Sequence, residues 1–290
     1  MVGEFPELQG LMGAHYARAG GETAAVAAAI GEHYQPRFAG DAIPASEAGQ
    51  VVSLADRIDT LVGVFAAGLK PTGNKDPFAL RRAALGLMRI LLEGRRQLTL
   101  DHLIALAVQA LSAQLDVTDA VRADVRSFII ERLRHYYAEQ GFKAELITAA
   151  LNAPWSTLPD LDERLRALAS FMGREEAASL AAANKRIGNI LRKSDFDGSM
   201  NIEEDILVID AERELFDEVN VIEKALEPLL DTSDYAAALT RLAALRAPVD
   251  AFFDDVMVMD DDPAVRRNRL ALLARLKGLF DRIADLSVLG

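Results

Sequence analysis

Four basic residues and an asparagine crowd one short stretch of the chain: Lys185, Arg186, Asn189, Arg192 and Lys193, within AAANKRIGNILRK. At helical spacing, positions 185, 189, 192 and 193 fall near one face. Such a face can hold phosphates through Lys and Arg while the asparagine reads a base edge. It can also be an ordinary solvated helix surface. A second group, Arg266, Arg267, Asn268 and Arg269, opens what reads as the last helix. Three arginines there oppose the positive end of the helix dipole. A binding role would account for that cost, and so would pairing with Asp260, Asp261 and Asp262 just upstream. A third group, Lys70, Lys75, Arg81 and Arg82, surrounds the loop KPTGNKDP. It reads either as a phosphate-binding collar or as an interdomain ion-pair seam with Asp76 and Asp59.

Other chemistry is harder to find. No GxxxxGK[ST] or GxGxxG loop is present, so no nucleotide cradle is recognisable. The histidines are His15, His33, His102 and His135. His15 and His33 can be combined on paper with Asp41, Asp56 and Asp59 into a carboxylate–imidazole metal site, but surface or core roles are the commoner fate of such residues. The adjacent His-Asp pair of HD-type phosphohydrolases is missing. Asp260–Asp262 precede Pro263 and read as a helix cap. Asp195 and Asp197 fail the calcium-loop template, because Gly198 comes too early and no Glu stands at the twelfth position. The expectation is no catalytic residue and no metal ligand.

The elements that must position these groups read as helices throughout. Ala25, Val26, Ala29, Ile30 and Tyr34 share a face across 22–38, which Pro36 limits. Val51, Leu54, Ile58, Leu61, Val62 and Phe65 mark a second helix with Gly68 as its stop. Asp76 is placed to cap the next, with Pro77 at its first position. Phe78, Leu80, Leu85 and Leu87 read as core. A helix starts near Thr99, and Val121, Val125, Phe128, Ile129, Leu133 and Tyr136 stripe another that ends at Gly141. NAPWSTLPDLDERL breaks the pattern, and helices at roughly 203–230, 233–256 and 263–286 follow the acidic loop SDFDGSMN. With no strand pattern, the expected class is all-α stacked helical domains.

Composition agrees. Hydrophobic residues make up 51% of 290, ample for buried cores, while aromatics are 6%. There is no cysteine, so disulfides and thiolate metal sites are excluded. No run of about 18 apolar residues exists and MVGEFPELQG lacks the pattern of a signal peptide, so a cytoplasmic chain without a membrane partner is expected. The net charge of −12 alone argues against a nucleic-acid partner. Its distribution does not. Residues 70–96 carry seven bases and two acids, 181–193 four bases and no acid, and 264–282 six bases and one acid. Residues 194–234 carry fourteen acids and two bases, a net −12 equal to that of the whole chain.

The stretch SLADRIDTLVGVFAAGLKPTGNKDPFALRRAALGLMRILLE resembles the signature region of the β-subunit family of bacterial tetrameric glycyl-tRNA synthetases. Its centre, KPTGNKDPFALRRAALG, is long and irregular. EFPELQGLMGAHYA and EHYQPRFAGDAIP upstream fit the same family, as do AAANKRIGNIL, LAALRAPVDAFFDDVMVM and VRRNRLALLARLKGLFDRIADLSVL downstream. SDFDGSMNIEED matches least. The resemblance implies an HD-like helical domain over 1–95, a helical connector over 96–176 and a DALR-like anticodon-binding bundle over 177–290. It further implies the C-terminal part of a longer chain, with the start of the HD-like domain cut.

The same resemblance implies function. The family's α2β2 enzyme charges tRNA with glycine, and the α subunit performs the ATP- and Mg-dependent activation. This part is therefore expected to bind glycine tRNA and the α subunit, to hold no cofactor, to be inactive alone, and to bind no DNA. A metal-dependent HD phosphohydrolase, or a scaffold that only docks the α subunit, are the alternatives.

Overall fold

The computed structural model describes residues 4–73, 75–194 and 196–289. Among them there is no strand, only an isolated bridge between Thr72 and Lys75. The chain divides into two compact units. The first runs to Gln140 and includes Thr157–Pro159; the second holds Gly141–Ser156 and the chain from Asp160 onward. Residues 96–176, expected as a connector, are thus shared between the two. No helix is long and apolar enough to cross a membrane among the described residues.

The first unit contains α1 (Leu11–Ala19), α2 (Ala24–Glu32), α3 (Glu47–Ala66), α4 (Leu80–Glu93), α5 (Leu100–Leu111) and α6 (Asp119–Glu139). Hydroxyl caps start four of these: Thr23, Ser46, Thr99 and Thr118 each accept a backbone N–H from the first turn. Gly68 and Gly141 take left-handed φ of 76° and 89° just past α3 and α6, where a side chain would be strained. Leu61, Val62, Leu87, Met88, Ile90, Leu91, Ile129 and Leu133 are fully buried and tie α3, α4 and α6 into one core.

Two local expectations change here. Pro77 is not the first residue of α4. The chain turns through Ala79 at φ 54°, and the Asp76 carboxylate reaches forward to the N–H groups of Leu80 at 2.8 Å and Arg81 at 2.9 Å. Phe78, expected in the core, sits on that turn and is exposed, and Leu85 is half-buried beside the fully buried Leu80 and Leu87. Asp76 thus satisfies two of the helix's free donors by itself. Asp76→Ala should cost about 1–2 kcal/mol of stability, read as a lower urea midpoint at unchanged slope. An unchanged midpoint would remove Asp76 as the cap.

The second unit contains α7 (Ala144–Asn152), α8 (Leu158–Phe171, from Asp160), α9 (Glu175–Lys193), α10 (Asp210–Asp231), α11 (Tyr235–Leu242), α12 (Arg246–Asp255) and α13 (Pro263–Asp281). The helix expected over 203–230 starts only at Asp210. That expected over 233–256 is split into α11 and α12 by a 3-10 turn at Ala243–Leu245. Pro263 takes the first position of α13, and Asp262 caps it through Ala264 N–H at 2.8 Å. One core joins Leu180 and Ile187 of α9, Leu215 and Val219 of α10, Phe252 of α12, and Leu273, Leu276 and Phe280 of α13.

A polar cluster pins α8 to α11. Asp160 accepts from the Tyr235 hydroxyl, from Ser156 N–H at 2.8 Å and from Arg164 Nε at 2.8 Å, and the Arg164 guanidinium lies 4.3 Å from the Tyr235 ring centre. Burial, the largest influence on this carboxyl, works against ionisation. The Tyr235, Ser156 and Arg164 bonds together outweigh it and hold the group below its ordinary 3.8. Its stabilisation is therefore complete above pH 3.8 and is lost as pH falls through the lower folded value. Asp160→Asn should cost about 1–3 kcal/mol at neutral pH, and the gap to the parent should close under acid in pH-dependent thermal melts. A gap that stays constant down to pH 2 would contradict the assignment.

Candidate nucleic-acid interface

α9 buries Ala177, Leu180, Ala181 and Ile187 and turns its basic edge outward. Lys185, Arg186, Arg192 and Lys193 are exposed and Asn189 is half-buried. The Arg186 guanidinium lies over the ring of Phe253 on α12, 4.1 Å from its centre. Arg192 donates to the Asn189 side-chain oxygen one turn back. Among the described residues, Arg186, Arg192 and Lys193 have no carboxylate at ion-pair distance. Lys185, Arg186, Asn189 and Lys193 line an open depression of about 380 Å³. A second hollow of about 470 Å³ shares Lys193 and continues past Phe196 and Met259 to Arg266 and Arg267 at the start of α13. The structure thus brings Arg266 and Arg267 to the end of the α9 edge. Asp197 also lines this hollow; Asp195 lies outside the described residues.

Half of the second expected group is not surface at all. Asn268 is 3% exposed, with its side-chain oxygen accepting Glu203 N–H at 2.7 Å and its amide donating to Glu203 C=O at 3.1 Å. It pins the incoming loop and has no edge left for a base. Arg269 is also 3% exposed. Its Nε donates to Glu212 of α10, and its Nη1 donates to Asp260 Oδ2 at 2.7 Å and to Met257 C=O at 2.8 Å. Both residues leave the candidate interface. Asp260 is held below its ordinary range, chiefly by the Asp262 N–H and further by Arg269. Arg266 donates to the Asp260 carbonyl at 2.8 Å, and exposed Arg267 faces Glu203 at 3.4 Å.

The rest of the α13 charge is matched in the same way. Arg275 pairs with Glu223, Arg282 with Glu227 at 2.8 Å, and Lys277 with Asp281 at 2.6 Å. The Arg282 bond is the main cause of a lowered Glu227 carboxyl. Glu212, Glu223 and Glu227 meet Arg269, Arg275 and Arg282 in ascending order, so α10 and α13 run in the same direction. Four acids of the segment 194–234, Glu203, Glu212, Glu223 and Glu227, are thus counter-charges of Arg267, Arg269, Arg275 and Arg282.

The first unit's cations do not form a collar. Lys70 pairs with Asp124, and Arg81 donates to Gly73 C=O and lies 4.0 Å from Asp76. Lys75 is exposed, and Arg82 lines a separate cleft. The histidine–aspartate combination does not assemble either. His33 Nδ1 lies 2.8 Å from Ile30 C=O, Asp41 is bound by Arg37, and Asp56 and Asp59 are exposed. No group of three such ligands is placed for a metal among the described residues.

The class that emerges is an all-helical chain whose second unit is a helical bundle. Residues 180–287 match the family model for the DALR anticodon binding domain. Residues 1–152 match the model for the glycyl-tRNA synthetase beta subunit. The whole chain is 49% identical to the glycine–tRNA ligase beta subunit of Acinetobacter baumannii (strain ATCC 17978), 48% to that of Chromohalobacter salexigens and 50% to that of Sodalis glossinidius. Each alignment covers all of this chain and 42% of the relative. The chain belongs to the glycyl-tRNA synthetase β-subunit family, and it spans less than half the length of these curated relatives.

The two kinds of arginine are separable by mutation. Arg269→Met should cost about 3–5 kcal/mol, because it leaves the buried Glu212 without its partner. Arg275→Ala, with water already at its pair, should cost about 0–1 kcal/mol. Urea unfolding of the two variants reads the difference, and equal losses would contradict the buried-pair assignment.

Proposed function

We propose that this chain is the tRNA-binding part of a glycine–tRNA ligase β subunit, and that the exposed edge of α9 is its contact with the anticodon region of glycine tRNA. The observation that carries the reading is the set of cations on α9 that have no carboxylate partner among the described residues: Arg186, Arg192 and Lys193, next to Lys185 and Asn189. A chain with net charge −12 repels RNA at long range, so its binding surface must be locally positive. Anticodon loops present unstacked bases and phosphates together, which suits a stacked guanidinium beside an amide. Arg267, and Arg266 with its remaining donors, extend the edge toward flanking phosphates.

Glycine activation with ATP and Mg belongs in this reading to the α subunit, which the chain joins as a partner. The chain itself supplies binding and orientation. Incubated alone with ATP, glycine and tRNA, it should yield no glycyl-tRNA; charging by rigorously purified protein would contradict this.

The direct test is the double change Arg186→Ala with Arg192→Ala. It should weaken glycine-tRNA binding and reduce the slope of log affinity against log salt by about one unit for each phosphate no longer held. The fold should survive, since exposed charges contribute about 0–1 kcal/mol each. The control is Arg122→Ala with Arg126→Ala, whose guanidinia face Asp119 at 3.6 Å and Asp101 at 3.2 Å on the first unit. Loss of affinity in the control but not in the α9 variant would refute the assignment.

A further inference from the structure

The first unit contains a cleft of about 390 Å³ lined by Glu7, Tyr34, Arg37, Phe38, Arg57 and Arg82, among others. Its central feature is Arg57 of α3, a residue only 8% exposed whose guanidinium has no carboxylate at ion-pair distance among the described residues. Nε donates to Ser53 Oγ at 3.1 Å, and Nη2 donates to the carbonyls of Tyr34 at 3.1 Å and Pro36 at 3.0 Å. Nη1 has no partner among the described residues. These acceptors are neutral, so the charge is oriented but not cancelled. Gly86 of α4 makes the room: a Cβ there would stand 2.6 Å from the guanidinium.

A buried charge without a counter-ion is costly, and an anion entering the cleft would offset that cost. Arg82 adds a second charge at the rim. It is exposed and has no carboxylate at ion-pair distance among the described residues. It stands close enough to Arg57 for the two to repel, which joins burial in lowering the Arg57 pKa while nearby Asp56 works the other way. Arg37 is neutralised by Asp41, whose carboxyl it pulls down to about 2. Glu7 is the single acid in the lining and lies at the exposed edge. Two guanidinia in excess, one fixed and one free to close, match a group with several anionic oxygens better than a carboxylate. The Tyr34 and Phe38 rings supply apolar walls for whatever carries that group.

We propose that this cleft binds a phosphoryl group, with Arg57 as the fixed cation at its floor and Arg82 as the closing cation at its rim. The proposal is independent of the α9 reading, which concerns the other unit.

The test is calorimetric titration of the purified chain with pyrophosphate, and with acetate as a carboxylate control, at fixed ionic strength. Pyrophosphate should bind at one site, and Arg82→Glu should weaken it about tenfold or more, the scale expected when a repulsion replaces one charge-assisted bond. Arg57→Lys should also weaken it. Because that change disturbs the Tyr34–Pro36 carbonyls, its fold is checked by circular dichroism and the exposed Arg82 variant decides. The Arg122→Ala, Arg126→Ala double variant, outside both proposed surfaces, should bind pyrophosphate as the parent does. A second arm uses glycine tRNA. If Arg82→Glu weakens tRNA and pyrophosphate competes, the phosphoryl group is an RNA backbone phosphate. If tRNA binding is unchanged while pyrophosphate binding falls, the ligand is a small phosphate compound. Absence of pyrophosphate binding, binding indifferent to Arg82→Glu, or equal affinity for acetate would overturn the proposal.

Discussion

Arg269 has almost no water around it, and oxygens from Glu212 on α10 and from Met257 and Asp260 in the turn before α13 close on its guanidinium. A charge in that setting is tolerable only while every partner is in place. It therefore fixes the start of α13, the first turn of α10 and the 257–262 turn relative to one another. Asn268 next to it fixes the incoming loop through both polar groups of Glu203. Farther along, Glu223–Arg275 and Glu227–Arg282 keep α10 and α13 in register. These outer pairs are half-solvated and add little stability each. Their effect is on charge: they leave most of α13 electrically quiet.

That matching determines where the second unit can meet an anion. The sequence carries two basic stretches of similar strength there, 181–193 and 264–282. Only the first has no acid interleaved, and Arg186, Arg192 and Lys193 on it have no carboxylate at ion-pair distance among the described residues, although α12 beside it carries Asp250, Asp254 and Asp255. The strongly acidic segment 194–234, read alone, argues against nucleic acid; folded, four of its fourteen acids pair with arginines of the α13 side. The formal −12 of the chain is thus a poor guide to the potential above α9, where Arg186 lies over the Phe253 ring and the neighbouring cations are exposed.

Local signals are legible in the sequence, because their causes are local. Thr99 caps α5, Asp262 with Pro263 starts α13, and Gly141 follows α6, each through contacts within a few residues. The all-helical class follows from periodicity for the same reason. Long-range pairing is not legible. Nothing in RRNR says that Asn268 answers Glu203 and Arg269 answers Glu212, 65 and 57 residues away. The spacing that suggests a binding face is the spacing of a helix with both an inner and an outer side, and only packing tells which is which. Arg57 escapes sequence reading for the converse reason. An arginine in an apolar stripe looks like a tolerated exception until Ser53, the Tyr34 and Pro36 carbonyls and Gly86 are seen around it.

RNA binding by the second unit rests on α9 and the adjoining tip of α13, with the rest of α13 neutralised by α10, Asp260 and Asp281. The most direct measurement is the affinity of the unaltered chain for glycine tRNA, against an unrelated tRNA, across a salt series. Four cations on α9, with or without Arg266 and Arg267, correspond to a log–log slope of about −3 to −5 and a preference for glycine tRNA. A slope near −7 to −9, as if all ten bases of the two stretches met phosphates, or equal affinity for both tRNAs, would contradict it.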